Sequence, residues 1–414
     1  MPRWNLLLPA PLAAWPLRAT FEASCAALGG RPVQALASIP WVTVELPEGV
    51  DPYYLPGILA AEPEQQQFLA GYQLQLLAPQ AIDPIFSWAP FRVGADLVHP
   101  VTQGAGVHVA VLDTGVAPHA EFAGADLTVE SVRGPDPADT NGHGTAVLGT
   151  LASQGIAVLG VAPLASYRVI QILDAAGGTD LDMARGIERA GELGVDLLTM
   201  SILLTGPSQM VADALSAFVR AGRVAVVAAG NTVSGVIAPG QGMLFPATLP
   251  TTIAVGAIDR VDALASFSLW GPWPNSPDSV APGVAVGTTW LDGGYASVSG
   301  TSLAAPVLAG CLALGMAANP AAWAVAGDLL DPKYGLALPA RTVRARELLR
   351  ATSLPLGLSQ DQAGYGLVSA PGLAQAEAPP SVRPPQASWL PLALGVAGVA
   401  VLLAAPAWWR RPQR

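Results

Sequence analysis

Between residues 104 and 318, continuous apolar runs alternate with stretches of helical spacing. The runs 107–112, 167–172, 195–201, 224–229 and 252–257 are short and rich in Val, Ile and Ala, the pattern of strands buried on both faces. Between them, 179–193 and 209–221 place apolar residues at i, i+3 and i+4, and 146–151 and 302–318 read as further helices. Strand and helix in alternation predict an α/β fold, a doubly wound parallel sheet.

The flanks break this rhythm. Residues 1–85 predict a small α+β unit: Val-Gln-Ala-Leu, a break, then Trp-Val-Thr-Val-Glu-Leu-Pro read as strand, turn and strand, and 65–77 reads as a helix interrupted by Gly71. Residues 374–388 are rich in Pro, Ala, Glu and Gln, a linker composition. The segment 389–409 is uncharged, carries tryptophans at both ends, and is long enough to cross about 30 Å of hydrocarbon as a helix. Arg410, Arg411 and Arg414 follow it, a basic tail of 410–414 that the positive-inside rule puts in the cytoplasm, with the bulk of the chain on the far side as a single-pass membrane protein. That topology requires export. Met1 to Leu17 offers Arg3 and an apolar stretch, but Pro9, Pro11 and Pro16 interrupt it and no clean small-residue cleavage site follows, which leaves three readings open: an atypical signal, a misassigned start, or a catalytic domain that stays inside with the tail inserted against the charge rule.

Composition narrows the function. The 414 residues carry a formal net charge of −10, which argues against nucleic-acid binding by bulk charge, and 51% are hydrophobic against 12% charged, as buried strands plus a membrane segment require. The two cysteines, Cys25 and Cys311, build no disulfide framework, and Cys311 falls inside the 302–318 helix as a small apolar residue.

The chemistry lies in three ordered strings: Val-Leu-Asp-Thr-Gly around Asp113, Asn-Gly-His-Gly-Thr around His143, and Ser-Gly-Thr-Ser-Leu-Ala-Ala-Pro around Ser302. A serine hydroxyl needs a base within hydrogen-bond reach to act as nucleophile at neutral pH. His143, between two glycines and ahead of a helix, is the candidate base; His99, His108 and His119 lack partners at metal-site spacing and read as surface or core residues. Asp113 ends a buried strand, where open α/β sheets place their sites and where a carboxylate can fix the imidazole tautomer. A fourth string, Val-Val-Ala-Ala-Gly-Asn, brings the Asn231 amide to the same sheet edge as a donor for an oxyanion, with the Ser302 backbone N–H as the second donor.

Asp before His before Ser, with these surrounding residues, resembles the subtilisin-like serine proteases, the peptidase S8 family. The resemblance runs over about 88–373 and also includes Ala265-Ser266-Phe267-Ser268 and Ala281-Pro282-Gly283-Val284. It implies a catalytic domain over 86–373, hydrolysing peptide bonds of protein or peptide substrates through Asp113, His143 and Ser302 and an acyl-enzyme. Substrate would lie extended beside the Ser201 backbone, and Ala228, Ala229 and Gly230 would wall the principal pocket. The family usually has glycines after that serine; this chain has Leu203 and Leu204, which reshape the cleft. The resemblance casts 1–85 as a propeptide, a folding aid and temporary inhibitor, with self-cleavage expected between about Ile82 and Arg92. No cofactor is implied. Some members bind structural calcium, yet Asp174, Asp180, Asp182 and Asp292 lack the spacing of a dedicated site and read as solvated loop or helix-start residues. Protease, linker and single carboxyl-terminal span together also look like the mycosins, without their cysteine pairs. Two other readings stay open: an inactive peptide-binding protein on the same fold, and a sedolisin-type peptidase, which has a Glu where this chain has His143.

Overall fold

A computed structural model describes residues 1–15, 18–52, 55, 58–69, 73–77, 87–204, 206–232 and 237–378. The expected linker beyond 378, the span 389–409 and the basic tail lie outside the described residues.

The chain opens with β1 (Arg3–Leu7), α1 (Arg18–Ala27), β2 (Arg31–Ala35), β3 (Trp41–Glu45) and β4 (Ala60–Pro63), an antiparallel sheet in the order β2-β3-β1-β4. Residues 3–7 form an inner strand of this sheet, where Leu6, with the nearby Leu8, finds a buried partner surface in Val42, Val44, Phe21 and Cys25. The opposite face of the sheet carries Trp41, which shares a buried apolar cluster with Ile187 and Ala214 of the main domain, and its indole donates to Asp213 at 2.8 Å.

The helix expected over 65–77 is absent. In its place are two strands, β5 (Gln66–Leu69) and β6 (Gln73–Leu77), paired with distant parts of the chain. Gln-Leu-Gln-Leu-Leu alternates with period two, and strand partners from the main domain outweigh the weak local helical preference of this stretch.

Two short helices, α2 (Trp88–Arg92) and α3 (Ala95–Val98), lead into β7 (His108–Asp113), β8 (Leu127–Ser131), α4 (His143–Ala152), β9 (Ser166–Gln171), β10 (Gly178–Thr179), α5 (Asp180–Glu192), β11 (Leu197–Met200), β12 (Ile202–Leu204), α6 (Gln209–Arg220), β13 (Val224–Ala228), β14 (Ile253–Ile258) and β15 (Ser279–Pro282). A β-hairpin of β16 (Val286–Thr289) and β17 (Tyr295–Ser299) precedes α7 (Thr301–Ala318), and α8 (Ala340–Thr352) follows. Seven strands form one parallel sheet, β15-β14-β13-β11-β7-β9-β8. Its strands are buried on both sides, as the apolar runs require. Val109 and Val111 of β7 face α4 and α7, whereas Ala110 and Leu112 face α5 and α6; β13 repeats the alternation with Val224 and Val226 against Ala225 and Val227. The fold is thus the doubly wound α/β architecture. Helix α7 is apolar and 18 residues long, yet nearly every residue of it is buried against the sheet, which makes it the core helix of the domain rather than a membrane span.

Candidate active site

The parallel strands end together at one edge, and the candidate residues gather there. Asp113 is the last residue of β7, Ser201 follows β11, Asn231 lies three residues past β13, and α4 and α7 start at this edge with His143 and with Thr301-Ser302. This is where a doubly wound sheet leaves a crevice.

His143 Nδ1 lies 2.7 Å from Asp113 Oδ1, with both side chains essentially shut off from solvent. At that separation the carboxylate accepts the ring N–H and fixes the tautomer with Nε2 as the basic nitrogen. Gly144 permits the approach. A Cβ there would fall inside contact distance of the Gly115 carbonyl and 3.2 Å from Asp113 Oδ1.

A residue that sequence reasoning passed over organises the same loop. The buried Asp139 carboxylate accepts hydrogen bonds at Oδ1 from Thr114 Oγ1 (2.9 Å), Asn141 N (2.9 Å) and Gly142 N (2.8 Å), and at Oδ2 from Thr145 N (2.9 Å) and Thr145 Oγ1 (2.6 Å). It ties the Asp113 turn to the start of α4 and so sets the two side chains against each other. Its signal was present, an Asp four residues before a histidine in a Gly-rich turn, but a short-range motif does not show that Thr114 is a second partner.

Ser302 is buried near the head of α7, and among the described residues its Oγ has no hydrogen-bond partner. The local helix is shaped around it. Pro306 has no N–H to give the Ser302 carbonyl four residues back, and Ser201 Oγ donates to that carbonyl instead, at 2.8 Å. Asn231 is locked from the other side: its Oδ1 accepts from Thr301 N at 3.0 Å and Thr301 Oγ1 at 2.8 Å, which turns the amide NH2 away from Thr301. The helix N-terminus adds partial positive charge at Ser302.

The expected pocket residues divide. Ala228 and Ala229 send their methyl groups into the core clusters on opposite sides of the sheet. Gly230, at φ +106°, stays bare and faces Leu203, Leu244 and Leu269. Leu204 and Ile202 belong to the core beneath α6, so of the two leucines only Leu203 bears on Gly230.

The remaining candidates have structural partners. His99 and His119 bond to the carbonyls of Val161 and Gly294, and burial raises the Cys311 thiol well above its ordinary value, which removes it as a nucleophile. No group of three or more His, Cys, Asp or Glu side chains converges as a metal site among the described residues. Asp174 and Asp182 pair with Arg133 at 3.2 and 2.8 Å. Asp180 departs from expectation. It starts α5 but is buried beneath the amino-terminal unit, where Asn5 Nδ2 donates to it at 2.9 Å and Gln65 N at 3.1 Å.

Burial pushes the Asp180 carboxyl up to about 6 despite the donors around it, and burial raises nearby Glu62 and Glu64 as well. Their neighbours are Arg3, 3.7 Å from Glu64, and Asp182, which Arg133 neutralises. A raised acid binds its proton more tightly in the folded state. The folded state is therefore favoured below the ordinary carboxyl range, and this contribution weakens as pH rises through about 6. In Ser302→Ala protein, thermal unfolding followed by tryptophan fluorescence is expected to shift downward from pH 4 to pH 7, and Asp180→Asn to flatten that slope. An unchanged slope in Asp180→Asn would remove Asp180 from the account.

Comparison with known proteins agrees with this geometry. Residues 104–366, more than half of the chain, match the model of the subtilase family. Subtilisin Savinase of Lederbergia lenta is 36% identical over 290 residues, covering 68% of this chain and 96% of the relative. An alkaline protease of Shouchella clausii is 36% identical over 290 residues, 68% of either chain. A thermostable alkaline protease of Halalkalibacterium halodurans is 40% identical over 216 residues, 51% of this chain and 57% of its own. The chain belongs to the subtilase family of serine-type endopeptidases, whose substrates are proteins or peptides.

Proposed function

We propose that Ser302 is the nucleophile, His143 the general base and acid, and Asp113 the residue that orients His143 and stabilises the imidazolium formed during the reaction. The observation that carries this reading is the buried 2.7 Å contact between Asp113 and His143 at the sheet edge where Ser302 heads α7. His143 takes the Ser302 proton as Oγ attacks the scissile carbonyl, then gives it to the leaving amine; water repeats the sequence on the acyl-enzyme. The Asn231 NH2 and the Ser302 N–H stabilise the oxyanion of each tetrahedral intermediate. The test is labelling of the full chain with a fluorophosphonate: wild type is expected to label and Ser302→Ala not, and labelling that survives the substitution would overturn the assignment.

Asn231→Ala removes one oxyanion donor and leaves the nucleophile in place. A fall of about 10²–10³ in kcat with KM nearly unchanged is expected, measured on a peptide substrate. A loss confined to KM would instead mark Asn231 as a ground-state binding residue.

The amino-terminal residues act in this reading as a propeptide, and the position of β5 between β10 and β12, beside Ser201, supports it. The uncharged segment 389–409 anchors the enzyme in a membrane, with the catalytic domain on the extracytoplasmic face and the basic tail in the cytoplasm, so that proteins are processed at a membrane surface.

A further inference from the structure

We propose that Glu121 is a positioning residue for peptide hydrolysis: its buried carboxylate fixes the far end of α4, and with it the aim of His143 at the head of that helix. The proposal rests on His143 and Ser302 acting as base and nucleophile.

Glu121 is fully buried on the segment that leaves Asp113, and four consecutive backbone N–H groups of the turn after α4 converge on its carboxylate. Oε1 accepts from Ala157 N at 2.6 Å and Val158 N at 2.9 Å, and Oε2 accepts from Gly155 N at 3.1 Å and Ile156 N at 3.0 Å. The Tyr295 hydroxyl of β17 donates to Oε1 as well, at 3.2 Å. A buried carboxylate is costly unless donors replace its water, and these donors take every lone-pair direction the group offers. Burial, with the Glu121 charge beside it, pushes the Tyr295 phenol up to about 12, so it stays a donor at neutral pH.

The residues around Glu121 repeat the tie. Gln154 N donates to the Glu121 carbonyl at 3.1 Å. Glu121 N donates to His119 Nδ1 at 3.1 Å, which leaves His119 Nε2 as the donor to the Gly294 carbonyl at 2.9 Å, just ahead of β17. The His119 ring lies edge-on to Tyr295, with centroids 4.9 Å apart. The segment 119–121 therefore holds both the turn after α4 and the start of β17, the strand that leads to α7 and Ser302.

Helix α4 is thus joined to the Asp113 segment at both ends. At the head, Gly144 N donates to Thr114 Oγ1 at 2.8 Å and Ala117 N to Thr145 Oγ1 at 2.9 Å. At the tail, about 15 Å along the helix axis, Glu121 gathers the turn 155–158 before the chain returns beside α4, with Gly160 N on the Ser153 carbonyl. Without the carboxylate the four N–H groups lose their acceptor and the turn has to reopen toward water. The tail of α4 then loosens, and the His143 ring, carried on the first residue of the helix, moves relative to Ser302. A misplacement of about 1 Å at a reacting group costs up to about 10²-fold in rate. The groups that face Glu121 are all N–H and O–H donors, so an anion can stand in for it and a cation cannot.

Glu121→Ala and Glu121→Gln test this on a peptide substrate, assayed well below each variant's unfolding midpoint. Each is expected to lower kcat by about 10–10²-fold with KM within about twofold of wild type, and to slow fluorophosphonate labelling of Ser302 in parallel. Sodium formate is expected to raise the kcat of Glu121→Ala severalfold by seating among the vacated N–H groups. It should leave wild type and Glu121→Gln unmoved, and calcium chloride should rescue neither variant. If Glu121→Ala fails to fold, Glu121→Gln, which keeps the shape and loses the charge, decides by its kcat and KM. A kcat within about twofold of wild type in the folded variants, a loss seen only near the unfolding midpoint, rescue by calcium, or no response of folded Glu121→Ala to formate overturns the role of Glu121. A wild type that does not label at Ser302 overturns the assignment beneath it instead.

Discussion

Ser302→Ala is expected to lower kcat/KM on a peptide substrate by about 10⁶-fold, equivalent to roughly 8 kcal/mol of transition-state stabilisation. The size follows from the arrangement. In the proposed mechanism His143 takes its proton from the attacking Ser302 oxygen, so removing Ser302 idles His143 and Asp113 together. Asp113→Asn tests the same unit from its far end: the nucleophile stays, but an amide facing His143 Nδ1 at 2.7 Å favours the wrong tautomer, and a loss of about 10⁴ is expected. The two losses should not add in the double variant, because both disable one relay. Additive losses, or residual activity within tenfold of wild type in Ser302→Ala, would mean that peptide hydrolysis does not pass through this serine.

The second large effect is on stability. Asp278, Asp331, Lys333 and Arg346 form a network without side-chain exposure in Asp278, Asp331, Lys333 or Arg346. Arg346 on α8 reaches Asp278 Oδ1 at 2.9 Å and Asp331 Oδ2 at 2.7 Å, Lys333 Nζ reaches Asp278 Oδ1 at 3.0 Å, and Asp278 Oδ2 accepts from Ala254 N of β14 at 2.8 Å. Burial works to raise the Asp278 carboxyl, but Arg346 and Lys333 outweigh it and hold it below the usual range. Asp278→Ala leaves Lys333 and Arg346 buried with one carboxylate between them, and a loss of about 3–5 kcal/mol is expected. Denaturant unfolding in the Ser302→Ala background measures it without self-digestion. A loss under about 1 kcal/mol would mean that water reaches the vacated position and solvates both cations.

The sole lysine of the chain, Lys333, had no role in the sequence reading, because its two acidic neighbours in space are Asp331, close in sequence, and Asp278, far from it. The same physical limit explains Asp139 and Asp180. Each is defined by partners that arrive from another part of the chain: Thr114 for Asp139, and Asn5 with Gln65 for Asp180. A local pattern carries no record of such arrivals. It does carry the period of a buried strand, and for that reason the strands ending at Asp113 and Ala228 and the helices beginning at His143 and Thr301 matched the apolar pattern to within three residues.

What the sequence by itself determined is the scaffold and the order of its chemical groups. Short apolar runs rich in Val and Ala read as strands buried on both faces, and small residues around Asp113, His143 and Ser302 mark tight turns at their ends. What only the tertiary structure decided is the pairing of residues 66–69 and 73–77. Their local preference is weak, with glutamines and leucines that suit a helix or a strand, so the choice fell to the edges offered by β10, β12 and β17. Backbone groups at an unpaired strand edge gain hydrogen bonds from any extended segment that reaches them, and here the segment that reached them is the chain's own.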